Sequence, residues 1–141
     1  MLLPLLRSLQ ISKPMRDWQR RAYDVPSPHE VKQAVLRRHH IEGATWGETG
    51  TASGRTTTFL ARFAPRVITI EPQAGFHAAA KKRFANVVNV EPVLGTSDAV
   101  FPGIIEGVSC DLCLWLDGHY SGGETFAADI DTPIRAELAV L

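Results

Sequence analysis

The stretch Glu48-Thr49-Gly50-Thr51-Ala52-Ser53-Gly54 decides how this chain reads. It follows a short apolar run, residues 44–48. It precedes residues 56–64, which have helical spacing and are closed by Pro65. A strand that ends in an acid, turns through glycines and enters a helix is a ligand-binding turn. Glycine lets the backbone approach a ligand and lets the helix pack closely on the strand. The helix start leaves backbone N–H groups without intrahelical partners. Glu48, at the strand tip, is placed to take the positively charged amine of a ligand.

Three motifs compete for this loop. A P-loop has the form G-x-x-x-x-G-K-[ST]. Here the interval from Gly50 to Gly54 is one residue short, and Arg55 stands in place of the lysine. A dinucleotide fingerprint, G-x-G-x-x-G, puts glycine where Ala52 stands. The pattern acidic-x-Gly-x-Gly-x-Gly fits at Glu48, Gly50 and Gly54 and departs only at Ala52. One added methyl group predicts tolerance at that position.

Outward from the loop, strand and helix patterns alternate. Residues 66–71 form a β-branched run ending in Glu71, and residues 73–84 read as a helix. Residues 87–93 read as a third strand despite Pro92, residues 98–106 as a helix, 111–117 as a fourth strand and 125–140 as a last helix. Four alternations imply right-handed crossovers and a parallel sheet. The strands are apolar almost throughout, as helices on both faces require. The fold class is therefore α/β, a three-layer α/β/α sandwich with a parallel sheet in the order 3-2-1-4. Glu71 lies about twenty residues after the glycines, where an acid at a strand end accepts hydrogen bonds from both ribose hydroxyls of a nucleotide.

Residues 1–26 read as an irregular N-terminal arm with Pro4, Pro14 and Pro26 and a short helix around residues 17–23. Residues 27–141 form the domain. It opens on Ser27-Pro28-His29-Glu30, a helix start with a Ser cap and Pro at the first position. That helix runs to His40, where a cationic His39-His40 pair suits the helix dipole.

From residue 44 to 139 the chain resembles the class I S-adenosylmethionine-dependent methyltransferases, which have a Rossmann-like fold. The resemblance is carried by the Glu48 loop, Glu71, the Gly95-Thr96-Ser97 turn after the third strand, and Leu116-Asp117-Gly118-His119 after the fourth. The stretch Trp115-Leu116-Asp117-Gly118-His119-Tyr120-Ser121-Gly122-Gly123 is similar to a branch resembling macrocin O-methyltransferases. The resemblance implies S-adenosylmethionine as cofactor, held by Glu48, Gly50, Thr51, Ala52, Ser53, Gly54, Glu71, Thr96, Ser97 and Asp117. Thr96 and Ser97 would lie near the adenine. Asp117 would lie by the reactive methyl and, as in some members, help hold a divalent metal such as Mg. Members of that family have more strands than this chain encodes, so the chain reads as cut rather than finished, its C-terminal strands missing. The fourth strand is then an uncharged sheet edge that predicts marginal stability, self-association and weak methyl transfer.

Asp117 and His119 are the candidate catalytic residues. A histidine with a near-neutral pKa suits a general base acting on a substrate hydroxyl. The blander readings are that Asp117 caps a turn and His119 is a surface loop residue. Gly118, Gly122 and Gly123 fit either a closing loop or simple turns.

Composition narrows the rest. The 141 residues are 45% hydrophobic and 21% charged, with 15 basic and 15 acidic residues and a formal net charge of +0. No global field draws the chain to nucleic acid or to an anionic membrane. No run approaches the ~18 apolar residues of a membrane helix. Cys110 and Cys113 have C-x-x-C spacing but no second ligand pair, so a zinc site is not indicated. They read as small apolar residues of a buried strand in a reducing cytosol, and the expected location is cytoplasmic. The leading function is methyl transfer to oxygen on a small-molecule or sugar acceptor. The alternatives are a non-catalytic Rossmann-like nucleotide-binding module or truncated remnant, and a P-loop phosphotransferase disfavoured by its spacing.

Overall fold

The computed structural model describes residues 11–118 and 134–139. The chain divides into two compact units, Met1–Arg38 and His39–Leu141. In the first unit, α1 (Lys13–Arg20) starts four residues earlier than the spacing predicted. Ser12 supplies the reason: its hydroxyl accepts from the Met15 N–H, and Pro14 sits in the first turn, where no N–H is needed. The helix α2 (His29–Arg38) begins at the Ser27-Pro28 signal. It stops at Arg38, short of His40. Ser12 also donates to Glu30, at 3.0 Å.

The second unit holds the sheet: β1 (Thr45–Thr49), β2 (Arg66–Glu71), β3 (Val90–Leu94) and β4 (Leu112–Leu116). All pairings are parallel and the order is β3-β2-β1-β4, as the alternation predicted. The helices α3 (Arg55–Leu60), α4 (Ala74–Arg83), α5 (Ser97–Gly107) and α6 (Ile134–Ala139) complete the described elements. Helix α4 packs on β2 and β3, α3 and α5 reach β2, and α5 meets α6.

The core runs through the two central strands. Trp46, Val67, Ile68 and Ile70 are buried, with Leu60, Phe84 and Phe101 from the helices and their ends. Gly47 makes one close packing possible. A Cβ there would stand 2.7 Å from Leu114 Cδ2, so a larger residue would displace the Leu114 side chain that fills this space. His40 does not end a helix. Its Nδ1 accepts from Trp46 Nε1 at 3.1 Å, and its ring meets Phe63 edge-on. At the amino ends of the strands, Asn89 donates to the carbonyls of Ala61 and Ala64, both at 2.9 Å. That fork closes α3 at Leu60, earlier than Pro65 alone suggests. The third strand starts late because Val87 to Asn89 form a turn, with Val90 N–H donating to the Val87 carbonyl. Cys113 is buried in β4, whereas Cys110 precedes the strand and is exposed, which corrects the reading of both as buried. Among the described residues no helix is long and apolar enough to cross a membrane.

Candidate functional site

Parallel strands deliver all their carboxyl ends to one edge, and open α/β sheets bind ligands there. Residues Thr49, Glu71, Leu94 and Leu116 close the four strands, so the loop of 50–54, the turn of 95–97 and Asp117-Gly118 share that edge. A cleft of 330 Å³ opens elsewhere, lined by Gly43, Pro65 and Asn89, at the amino ends of the strands.

The loop is fixed by β2. The N–H groups of Gly50 and Thr51 donate to the Ile70 carbonyl, at 2.9 and 3.3 Å. Glu71 is 4% exposed, and its two oxygens accept from Ala52 N–H at 2.9 Å and Gln73 N–H at 3.0 Å. Its carbonyl accepts from Gly95 N–H at 3.1 Å, which ties in the third turn as well. Glu71 is thus the joint between the glycine loop and the start of α4. A carboxylate offers about four lone-pair sites. Two are used here, so acceptor capacity remains.

The two loop glycines are demanded first by the protein. Gly50 has φ +79°, and a Cβ there would stand 2.9 Å from the Asp117 carbonyl oxygen. Gly54 has φ +70°, and its Cβ would stand 2.9 Å from Phe84 Cζ. Ala52, the one departure from the motif, also takes a positive φ, +43°. Glycine is favoured at 52 because the backbone is left-handed there.

Glu48, on β1, lies buried under the loop. It is 2% exposed, and its Oε2 accepts from the Thr57 and Thr69 hydroxyls at 2.5 and 2.9 Å. Thr51 and Thr69 are joined at 2.6 Å. Through these hydroxyls the carboxylate holds α3 and β2 together beneath the loop. The threonine partners were missed because each, read singly, is an ordinary strand or helix residue.

Thr49 was also missed. It is 2% exposed, and its hydroxyl oxygen accepts from both Asp117 N–H and Gly118 N–H at 3.0 Å. It sets the turn after β4 beside the Gly50 turn. Asp117 is half-buried there. Thr96 caps α5 in extended geometry, and Ser97 is buried at its first position. Ser53 lies in the turn that enters α3. His119, Gly122 and Gly123 lie outside the described residues. Among the described residues no three His, Cys, Asp or Glu side chains converge to hold a metal ion.

No protein-family model matches the chain, and no curated protein matches it. Solved structures do. A candidate methyltransferase from Streptococcus mutans, in complex with SAH, aligns with a TM-score of 0.58 at 15% identity over 82% of this chain. An rRNA methylase from Streptococcus thermophilus aligns with a TM-score of 0.48 at 16% identity over 61% of this chain. The chain spans 65% and 51% of the length of those two proteins. The described residues of the second unit form the four-stranded parallel core of a Rossmann-like α/β fold, which that SAH complex shares.

Proposed function

We propose that this chain binds S-adenosylmethionine along the carboxyl edge of its sheet and transfers the methyl group to oxygen on a small-molecule or sugar acceptor. The observation that carries the reading is the convergence at that edge: a left-handed 50–54 loop locked to Glu71, with the turns after β3 and β4 beside it. The SAH complex of the Streptococcus mutans neighbour supports the choice of cofactor. When bound, the sulfonium supplies an already activated methyl group, so the protein has chiefly to align and to exclude water. Glu71 would accept from the ribose hydroxyls with its remaining lone pairs. Thr96 and Ser97 would border the adenine, and Asp117 would stand at the methyl-transfer end. The Glu48 network would keep the loop in shape.

Calorimetric titration of the purified chain with S-adenosylhomocysteine, NAD and ATP–magnesium tests the reading. Binding of adenosylhomocysteine in preference to the others is expected. Preference for NAD or ATP overturns it. Adenosylhomocysteine binding without transfer of a labelled methyl group to hydroxylated small molecules or sugars leaves the non-catalytic module as the better description.

A further inference from the structure

Between Glu48 and Glu91 the charges are sorted. Residues 49–90 hold six basic side chains, Arg55, Arg62, Arg66, Lys81, Lys82 and Arg83, and one acid, Glu71. Glu71 is 4% exposed, and its oxygens accept from backbone N–H groups. The whole chain has a formal net charge of +0, so its excess of acids lies in the rest of the sequence. Net charge therefore hides a local field, and charges act over about 10 Å at ordinary ionic strength.

The fold gathers these cations on one face. In the order β3-β2-β1 the two crossovers step in one direction. Right-handed crossovers that step the same way put their helices on the same side of the sheet, so α3 and α4 are neighbours. Arg83, closing α4, donates to the Thr58 hydroxyl of α3 at 3.3 Å, and its guanidinium stands 5.7 Å from the centre of the Phe84 ring. Arg55, Thr58 and Arg62 follow at helical spacing and form one stripe. Arg62 stands in the turn that closes α3, with its N–H donating to the Phe59 carbonyl at 3.2 Å. Arg55, Arg62, Lys81, Lys82 and Arg83 are all exposed. Among the described residues none of these five has a carboxylate partner, whereas Arg66 is paired with Glu91 at 2.6 Å. Glu42 borders the same cleft as Arg62, but its carboxylate stands 3.8 Å from His40 Nε2.

Five cations with no acid among them suit a partner that carries several negative charges. What lies between them narrows its class. In residues 49–90 the one large apolar side chain that is exposed is Val88, in the turn before β3. A basic surface that enters a bilayer needs a broad apolar face beside the charges. Phe59 and Phe84 are buried and Phe63 and Phe76 half-buried, so no exposed ring is offered for an unpaired base to stack on. Contact with successive phosphates needs neither feature and reads no base.

We propose that the face formed by α3 and α4 docks the phosphate backbone of a double-stranded nucleic acid through Arg55, Arg62, Lys81, Lys82 and Arg83. This docking is independent of what the carboxyl edge of the sheet binds.

Fluorescence anisotropy with short labelled duplexes of RNA and of DNA tests it on the purified chain. Wild type is expected to bind at least one duplex, and the preferred one identifies the partner. Five phosphate contacts give an affinity that falls roughly a hundredfold or more between about 50 and about 200 mM salt. Lys81→Gln with Lys82→Gln is expected to weaken binding by about tenfold and to make the salt dependence shallower by about two contacts. The paired change is expected to leave the melting temperature of the chain unchanged, because both side chains are exposed. Arg37→Gln with Arg38→Gln removes as many cations from α2 and is expected to leave the affinity unchanged. Should the lysine variant fail to fold, Arg55→Gln with Arg62→Gln is read by the same criteria. Absence of binding to both duplexes at the lowest salt overturns the proposal. Equal weakening by the α2 control overturns it too, since total charge would then suffice. Tighter binding to phosphatidylserine vesicles or to polyglutamate than to either duplex overturns it in favour of a membrane or an acidic protein.

Discussion

Ala52 holds a left-handed backbone with a side chain that disfavours it, φ +43°. The strain of that region for a residue with a Cβ is about 1–2 kcal/mol, and glycine's greater freedom in the unfolded chain cancels part of any relief. Ala52→Gly is expected to raise the unfolding free energy by up to about 1 kcal/mol in urea denaturation. A fall would show that the Ala52 methyl group packs usefully. Cys110 and Cys113 make a second contrast between single residues. The Thr45 hydroxyl, 3.4 Å from Cys110 Sγ, together with the Thr45 backbone, holds the exposed thiol below its ordinary pKa by favouring the thiolate. A lowered pKa means more thiolate at a given pH. Iodoacetamide should therefore begin to label Cys110 at lower pH than a free cysteine, and peptide mapping should find Cys113 unlabelled until the protein unfolds.

At the scale of elements, the glycine loop is a junction between α3, α4 and the strand tips. Gly54 is the N-cap of α3, and what its missing side chain admits is the Phe84 ring at the end of α4. A Cβ there would also stand 3.4 Å from Arg83 Cδ. Gly54→Val must displace the buried Phe84 ring and adopt a left-handed φ at a β-branched residue. Overpacking of this kind costs about 1–3 kcal/mol, before the backbone strain is added. The variant is expected to unfold at lower denaturant with no ligand present. Stability equal to wild type would show that the Phe84 ring can move aside freely and that the close approach is incidental. Glu71 works at the same scale, since its two oxygens join β2, the loop and the start of α4.

At the scale of the molecule, the two outer strands of the sheet differ among the described residues. On β3, Glu91 and Pro92 blunt the edge, and Glu91 pairs with Arg66 at 2.6 Å. Charge and proline are the usual means of preventing edge-to-edge pairing. On β4, Leu112-Cys113-Leu114-Trp115-Leu116 carries neither, and among the described residues its strand pairing is with β1 alone. A second copy of the chain, uncharged along the same edge, is the expected occupant. Sedimentation velocity should show a weight-average mass that rises above 15.5 kDa with concentration. A constant monomer mass at every concentration would refute this.

The amino-acid sequence by itself determined the α/β class, the parallel sheet and the position of the glycine loop, because those follow from local periodicity and turn chemistry. The bounds of β2 and α4 match their sequence reading closely, with Gln73 as the cap of α4. It also placed Glu71 and Asp117 at strand ends, since a parallel sheet sends every strand end to one edge. Only the tertiary structure decided which way the buried acids turn. Glu48 and Thr49 are neighbours on one strand, and strand side chains alternate between faces. Which face α3 covers, and so which residue meets Thr57 and Thr69, depends on packing between segments distant in sequence. The same holds for Gly54 against Phe84, and for Glu137, the acid of the short helix α6. Its closeness to Thr49 and Gly118 follows from how α6 packs, which local residue spacing does not encode.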